Sequence, residues 1–256
     1  MILVMDIGNT NIKTAVFEDR ELVKSWRIST NTNFTSDEYG QVMTNFFNQS
    51  SLSVRELEGI MISSVVPSIN FTIEHMCHDY FGKAPHFVGP GVKTGINILY
   101  ENPKDLGADR ICNAVAAYAL YGSPCIFIDF GTATSFGVIS GNGNFLGGCI
   151  LTGVRLAREA VVTGTAKLPH FELNLPDKVI NRTTITNLQA GLLYGYVGQV
   201  SYLVERMKQE MGESRATVVA TGGFASVIAQ QSDAIEQVDN LLTLKGVRMI
   251  YEKNFQ

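Results

Sequence analysis

An aspartate follows a short apolar run at two places in the sequence, and each aspartate is followed two residues later by a glycine. The first copy is Asp6–Asn11 and the second is Asp129–Thr134. A loop of this composition brings backbone N–H groups, short polar side chains and a carboxylate close to phosphate oxygens and a metal ion. Taken alone, the first copy fits an ordinary hairpin turn equally well, because glycine and asparagine favour turns. The repetition favours the phosphate-binding interpretation.

The elements around these loops predict two similar halves. The apolar runs Ile2–Met5 and Ile126–Ile128 are typical of buried strands. Two copies about half a chain apart indicate duplicated α/β halves that face each other across a cleft, each giving one loop to a shared phosphate chain. A third segment, Thr217–Phe224, is predicted to be a strand that ends in a glycine pair, where a ring or ribose can approach the backbone closely.

Several helix starts can also be predicted. Thr35–Glu38 has the pattern of a capping box, and Ser68 and Asp105 are candidate N-caps for the next two helices. Either Thr152 or Gly153 begins a helix in the second half, and Thr186–Gln189 forms another capping box. That box opens the longest predicted helix, residues 186–211.

The composition excludes several classes of protein. The chain has 256 residues, of which 45% are hydrophobic and 17% are charged, as in a soluble globular protein with a sizeable core. A net charge of −4 argues against a general binder of nucleic acid or of anionic membranes. The four cysteines lack paired spacing, which indicates buried free thiols in a reducing compartment. No apolar run reaches the ~20 residues of a membrane span, and no basic segment precedes the opening run, so we expect a cytoplasmic protein without a signal peptide.

The three loops resemble the first phosphate, second phosphate and adenosine motifs of the superfamily that includes acetate and sugar kinases, heat-shock ATPase chaperones and actin. Within this superfamily the sequence is similar to the type III pantothenate kinases. The similarity is carried by blocks that follow one another along nearly the whole chain: Asp6–Asn11, Gly107–Arg110, Asp129–Ser135, Gly147–Gly148, Ala166–Pro169, Gln189–Gly195, Thr221–Gly223 and Leu242–Tyr251.

This resemblance implies an α/β fold with two duplicated ribonuclease H-like halves, the actin-like ATPase fold, around a central cleft. Residues 1–118 would form the N-terminal half, with the first phosphate loop and the substrate and base segment. Residues 119–256 would form the C-terminal half, with the second phosphate loop, the adenosine loop and the dimer helix.

The implied activity is ATP-dependent phosphorylation of pantothenate to 4′-phosphopantothenate, the first step of coenzyme A biosynthesis. Two alternatives remain open. One is a kinase of the same superfamily that acts on another small hydroxyl or carboxylate acceptor. The other is a non-catalytic, nucleotide-binding accessory factor for transcription, which the presence of all the expected catalytic positions disfavours. A P-loop ATPase is excluded because its Gly-x-x-x-x-Gly-Lys-Ser/Thr motif is absent.

The resemblance also implies the roles of individual residues. Asp109 would be the catalytic base, although an acid in the first turn of a helix is favourable without any catalytic role. Asp6 would hold Mg²⁺ through water, and Asp129 would hold a monovalent cation, potassium or ammonium. The expected contacts to ATP come from Asp6, Ile7, Gly8, Asn9, Thr10, Asn11, Ile12, Lys13, Thr132, Thr221, Gly222 and Gly223. Those to pantothenate come from Tyr100, Gly107, Ala108, Asp109, Arg110 and Thr184.

The long helix carries a stripe of small residues, Gly191, Gly195 and Gly198. Such a stripe lets another backbone come close, either in the core of the same chain or across a two-fold interface. The stripe alone does not choose between these. The resemblance implies a homodimer in which Thr184 reaches the partner's pantothenate site, with no nucleic acid or membrane among the partners.

Overall fold

The computed structural model describes all residues, Met1–Gln256. The chain divides into two compact units. Unit 1 comprises Met1–Gly95, Asn102–Ala116 and Leu242–Gln256, and unit 2 comprises Ile96–Glu101 and Ala117–Leu241. The division after Ala116 lies next to the expected boundary at residue 118. The last segment differs from expectation, because Leu242–Gln256 packs with unit 1 rather than with the C-terminal half.

The regular elements alternate along the chain. The strands are β1 (Ile2–Ile7), β2 (Asn11–Glu18), β3 (Glu21–Ser29), β4 (Gly59–Ser64), β5 (His86–Phe87), β6 (Asn97–Ile98), β7 (Cys125–Phe130), β8 (Ala133–Ile139), β9 (Asn144–Gly147), β10 (Ile150–Thr152), β11 (Thr217–Gly222) and β12 (Gln237–Val238). The helices are α1 (Ser36–Gln49), α2 (Asn70–Phe81), α3 (Ala108–Tyr121), α4 (Val154–Thr163), α5 (Thr184–Met211), α6 (Ala225–Ala229) and α7 (Leu242–Phe255). No helix is both long enough and apolar enough to cross a membrane.

Unit 1 is built on a five-stranded sheet in the order β3-β2-β1-β4-β5. Strand β1 is antiparallel to β2 and parallel to β4, and every one of its residues is buried. Its alternate side chains Leu3, Met5 and Ile7 join a core with residues of α1 and α2. Helix α7 packs against β1 and β4. The central position of β1 explains why its sequence is apolar on both faces.

Unit 2 repeats this arrangement. Its sheet runs β12-β11-β7-β8-β9-β6, and β10 pairs with β8. The part β9-β8-β7-β11-β12 has the strand order of the first sheet, with β7 antiparallel to β8 and parallel to β11. Helix α5 contributes Leu193, Tyr196 and Val200 to the core of this unit. The prediction of two duplicated ribonuclease H-like halves is confirmed.

One predicted capping box is present. The Thr35 hydroxyl accepts a hydrogen bond from Glu38 N at 3.2 Å, and Glu38 Oε2 accepts one from Thr35 N at 2.8 Å. These bonds satisfy two backbone donors at the start of α1. For the fourth helix, Gly153 is the N-cap, while Thr152 lies in β10.

Three other predicted caps are wrong. The 3-10 turns Pro67–Ile69 and Pro103–Asp105 contain the expected caps Ser68 and Asp105, and α2 and α3 begin only after them. Each turn begins with a proline, whose fixed φ suits a first helical position. The long helix begins at Thr184, because the Thr183 side chain accepts from Thr186 N and caps it.

The glycine stripe of α5 faces open space. A Cβ added to Gly191, Gly195 or Gly198 would meet no heavy atom within 4 Å. No other part of this chain packs closely on the stripe, so the core alternative is wrong.

Candidate active site

The first phosphate loop, Gly8–Thr10, connects β1 to β2 and is fixed by hydrogen bonds to its backbone. Gly8 N donates to Asn11 O at 3.0 Å and closes the turn. Thr30, just after β3, donates its hydroxyl to Gly8 O at 2.6 Å and its N–H to Thr10 O at 3.0 Å. Asn9 and Thr10 are exposed. The loop therefore presents two polar residues to solvent from a backbone held at both ends.

The Asp6 carboxylate is buried and held from both neighbouring strands. Lys13 on β2 and Ser63 on β4 are its register partners. Lys13 Nζ lies 3.6 Å from Asp6 Oδ2, and the Ser63 hydroxyl donates to Asp6 Oδ1 at 3.3 Å. Each carboxylate oxygen therefore has its own partner. The side chain of Lys13 is only 19% exposed, so its charge lies mostly out of solvent beside Asp6.

Asp129 occupies the equivalent position in unit 2 with different neighbours. It is the next-to-last residue of β7, two residues before Gly131 of the second phosphate loop, and its register partners are Ser135 and Thr221. Both partners carry hydroxyls, whereas Asp6 has a lysine and a serine. The hydroxyl of Thr221 is fully buried and makes no hydrogen bond. The environment of Asp129 therefore offers neutral oxygen ligands in place of a positive charge.

Gly222 allows β11 to approach β7 closely at this point. Its φ is +94°, which favours glycine, and an added Cβ would lie 2.6 Å from Phe130 O and 2.7 Å from Asp129 Oδ1. Gly223 follows, is exposed, and donates its N–H to Phe130 O at 3.1 Å. The backbone geometry beside Asp129 therefore requires glycine at position 222, whereas a Cβ added to Gly223 would meet nothing within 4 Å.

Asp109 and Arg110 lie in the first turn of α3. Asp109 Oδ1 accepts a hydrogen bond from Arg110 N at 2.8 Å, and its side chain is half-buried. A Cβ on Gly107 would lie 2.5 Å from the same oxygen. Arg110 is 7% exposed. The carboxylate is therefore confined by the turn that precedes it but keeps access to solvent.

Asp6 and Asp109 both act on the buried thiol of Cys112. Burial is the main cause that raises the pKa of Cys112, and the charge of Asp6 and then that of Asp109 raise it further. A hydrogen bond with Ser63 acts in the opposite direction. In unit 1, therefore, the charges of two carboxylates that are far apart in sequence both act on the thiol of Cys112.

The position of α3 is fixed by α7. The Thr243 hydroxyl donates to Asn113 Oδ1 at 2.8 Å in the core. A Cβ on Gly246 would lie 2.0 Å from Cys112 O, so only glycine permits this crossing. Sequence reasoning did not identify these contacts. The available signal was a pair of polar residues, Asn113 and Thr243, in otherwise apolar stretches of two helices.

The remaining predicted site residues are distributed between the units. Ile7 and Ile12 are fully buried, so their side chains are not open to a ligand. In unit 2, Tyr100 is half-buried, with its ring 3.8 Å from a Cβ placed on Gly147. Thr132 in the second loop and Thr184 at the start of α5 are exposed.

Solved structures of low sequence identity share this fold. A Campylobacter jejuni protein, provisionally assigned to the Baf family of transcriptional activators, is 20% identical with a TM-score of 0.64, and 98% of each chain is covered. A Sinorhizobium meliloti protein, provisionally described as a 2-dehydro-3-deoxygalactonokinase, is 10% identical with a TM-score of 0.64, covering 100% of this chain and 97% of that one. The ROK hexokinase of Thermus thermophilus is 14% identical with a TM-score of 0.51, covering 98% and 99%.

The family is shown by a comparison of sequence. The model of the type III pantothenate kinases matches residues 2–206, which is most of the chain. The matched part includes the first phosphate loop, the Asp109 segment and the second phosphate loop. The chain belongs to the type III pantothenate kinase family.

Proposed function

We propose that this protein transfers the γ-phosphoryl group of ATP to the primary hydroxyl of pantothenate and so forms 4′-phosphopantothenate, the first intermediate of coenzyme A biosynthesis. The observation that carries the proposal is the placement of two carboxylates in unit 1: Asp6 is held beside the first phosphate loop, and the half-buried Asp109 lies at the start of α3. Phosphoryl transfer needs a carboxylate beside the phosphate chain and a second group that accepts the proton of the acceptor. The two aspartates match these two requirements.

The phosphate chain of ATP would be contacted by the two equivalent hairpin loops. The first loop offers the backbone of Gly8–Asn11 together with Lys13, and the second offers Thr132. The adenosine would lie against Thr221–Gly223, where glycines keep the backbone open.

The residues present also fit the cations that this reaction requires. Asp6 offers carboxylate oxygens, the ligands that Mg²⁺ prefers, and would hold the ion through water. When bound, Mg²⁺ offsets the charge of the transferred phosphoryl group. The Asp129 carboxylate and the neighbouring hydroxyls of Ser135 and Thr221 are an oxygen set suited to potassium or ammonium. The buried Thr221 hydroxyl, which has no hydrogen-bond partner, supports this assignment.

Asp109 would take the proton of the pantothenate hydroxyl. A carboxylate is a weak base for an alcohol, so the contribution of Asp109 would be orientation of the hydroxyl and late proton uptake. The planar guanidinium group of Arg110 would donate two parallel hydrogen bonds to the carboxylate of pantothenate. Tyr100, the backbone of Gly107–Ala108 and Thr184 would complete the pantothenate site.

The proposed assembly is a cytoplasmic homodimer that includes α5, with Thr184 supplied to the site of the partner. The open glycine stripe on α5 supports this choice because it leaves room for another backbone. No nucleic-acid or membrane partner is proposed.

A coupled assay of ADP release tests the proposal. The protein is incubated with ATP, Mg²⁺ and pantothenate, once in potassium and once in sodium alone. We expect turnover that depends on pantothenate and on potassium. Turnover with a sugar or another carboxylate acceptor instead would favour a different kinase of the superfamily. Nucleotide binding without turnover would favour an accessory factor for transcription; the Campylobacter jejuni protein is provisionally described as a transcriptional activator.

A further inference from the structure

The hydroxyl of Tyr196 joins two segments of unit 2 inside the core. Tyr196 lies on α5 and is 3% exposed. Its hydroxyl is 2.5 Å from Thr134 Oγ1 and 2.9 Å from Thr152 O. A carbonyl can only accept a hydrogen bond, so Tyr196 donates its single proton to Thr152 and forms its second bond with the Thr134 hydroxyl. Burial raises the pKa of Tyr196, which keeps this hydroxyl protonated.

Both segments adjoin the second phosphate loop, Gly131–Thr132. Thr134 follows the loop, pairs with Phe130 across the hairpin, and is fully buried. Its hydroxyl is turned toward Tyr196. Thr152 precedes Gly153, where an added Cβ would lie 2.0 Å from Thr132 O. The single hydroxyl of Tyr196 therefore holds the segment that leaves the loop and the segment packed against it.

The first phosphate loop is held in a different way. Thr30, just after β3, binds the backbone of that loop directly, and Tyr39 on α1 bonds to the backbone N–H and carbonyl of the next residue, Asn31. In the second unit the tyrosine hydroxyl reaches the residues that flank the loop itself. Phe130, the last residue of β7 before the loop, also has its ring centroid 6.3 Å from that of Tyr196.

We infer that Tyr196 is a positioning residue that holds the second phosphate loop in its nucleotide-binding shape through Thr134 and Thr152. The inference rests on the proposed function, because it requires that Gly131–Thr132 bind nucleotide. Because Tyr196 is buried, it would act through these two residues rather than by contact with the nucleotide.

The test compares two tyrosine variants on the same helix. Tyr196→Phe removes the hydroxyl described above, and Tyr194→Phe removes one that donates instead to Pro176 O, at 2.8 Å, in the segment that precedes α5. The dissociation constant of ADP is measured by titration without pantothenate, together with the thermal unfolding midpoint. We expect the constant to rise roughly fivefold to tenfold in Tyr196→Phe, as the loss of one buried hydrogen bond implies, and to be unchanged in Tyr194→Phe.

A second pair of variants tests whether the effect passes through Thr134. Thr134→Ser keeps the hydroxyl and should bind ADP as the wild type does, whereas Thr134→Val should bind more weakly. The double variant Thr134→Val/Tyr196→Phe should be no weaker than Tyr196→Phe alone, because both changes break the same connection. Additive losses would overturn the inference.

The outcomes separate this inference from the proposed function. A wild-type protein that binds no ADP overturns both. A wild-type protein that binds ADP, with Tyr196→Phe equal to it or with an equal loss in Tyr194→Phe, overturns only the positioning role.

Discussion

Asp6 and Ser63 are paired across the parallel strands β1 and β4, and the Ser63 hydroxyl donates a hydrogen bond of 3.3 Å to Asp6 Oδ1. Lys13, on the opposite side, lies 3.6 Å from Asp6 Oδ2. The carboxylate is therefore oriented by the protein itself. Preorganised charge of this kind is more effective than a side chain that must reorient when its ligand arrives.

Replacing Ser63 with alanine should weaken the binding of nucleotide with Mg²⁺ more than that of nucleotide alone. The hydroxyl is fully buried and orients the carboxylate proposed to hold Mg²⁺ through water. We expect the dissociation constant of Mg-ADP to rise roughly threefold to tenfold. Titrations with Mg²⁺ and with EDTA measure the difference. Ser64→Ala is the control, since Ser64 bonds to Asn70 at the start of α2; an equal change with and without Mg²⁺ would contradict the prediction.

Asp109→Asn should abolish most of the turnover while nucleotide binding survives. The amide cannot take up the proton of the acceptor but keeps the size of the carboxylate, so a loss of roughly 10²-fold or more is expected in kcat. Steady-state assays and ADP titrations provide the two readouts. Asp105→Asn, in the exposed 3-10 turn just before α3, serves as the control. Full turnover in Asp109→Asn would eliminate this residue as the base.

Gly107→Ala should act on the same carboxylate without removing it. The added methyl group would lie 2.5 Å from Asp109 Oδ1, so the side chain must move. A displacement of about 1 Å at a reacting group lowers a rate by up to roughly 10²-fold. We expect kcat to fall and the thermal midpoint to change little. Gly89→Ala, where an added Cβ meets nothing within 4 Å, is the control, and equal activities in the two variants would refute the clash.

The duplication of the two halves was predictable because the same short pattern of residues occurs twice in the sequence. Asp6 and Asp129 end equivalent central strands, and the loops after them form equivalent hairpins. The side chains that hold those loops were not predictable. Thr30 and Tyr196 are ordinary residues whose partners are decided by tertiary packing, so no local spacing identifies them.

The starts of the helices were also only partly predictable from local sequence. Ser68 and Asp105 are good capping residues by type, but a preceding proline begins a 3-10 turn in each case. The sequence of the last helix also did not indicate that it packs with unit 1. Helix α7 packs on β1 and β4, the sheet from which it is most distant in sequence.

The four cysteines should differ in reactivity. Burial raises the pKa of Cys77 and of Cys125 to about 12, and that of Cys112 is also raised. Only the thiolate reacts with alkylating agents, so these three should be protected in the folded protein. Cys149 is half-buried and should be modified first. Mass spectrometry after brief treatment with iodoacetamide at pH 8 measures the order; labelling of Cys125 as fast as Cys149 would contradict it.

Gly195→Ala separates the effect of the glycine stripe on the helix from its effect on assembly. In an isolated chain the methyl group meets nothing within 4 Å, and alanine should stabilise the helix by about 0.5–1 kcal/mol. If a partner backbone approaches the stripe, as the proposed homodimer requires, the same methyl group must obstruct it. We therefore expect a weaker dimer formed from more stable monomers, measured by light scattering over a dilution series and by chemical unfolding at low concentration. A stabilised variant with unchanged dimer affinity would place the interface elsewhere, and a monomeric wild type would overturn the homodimer itself.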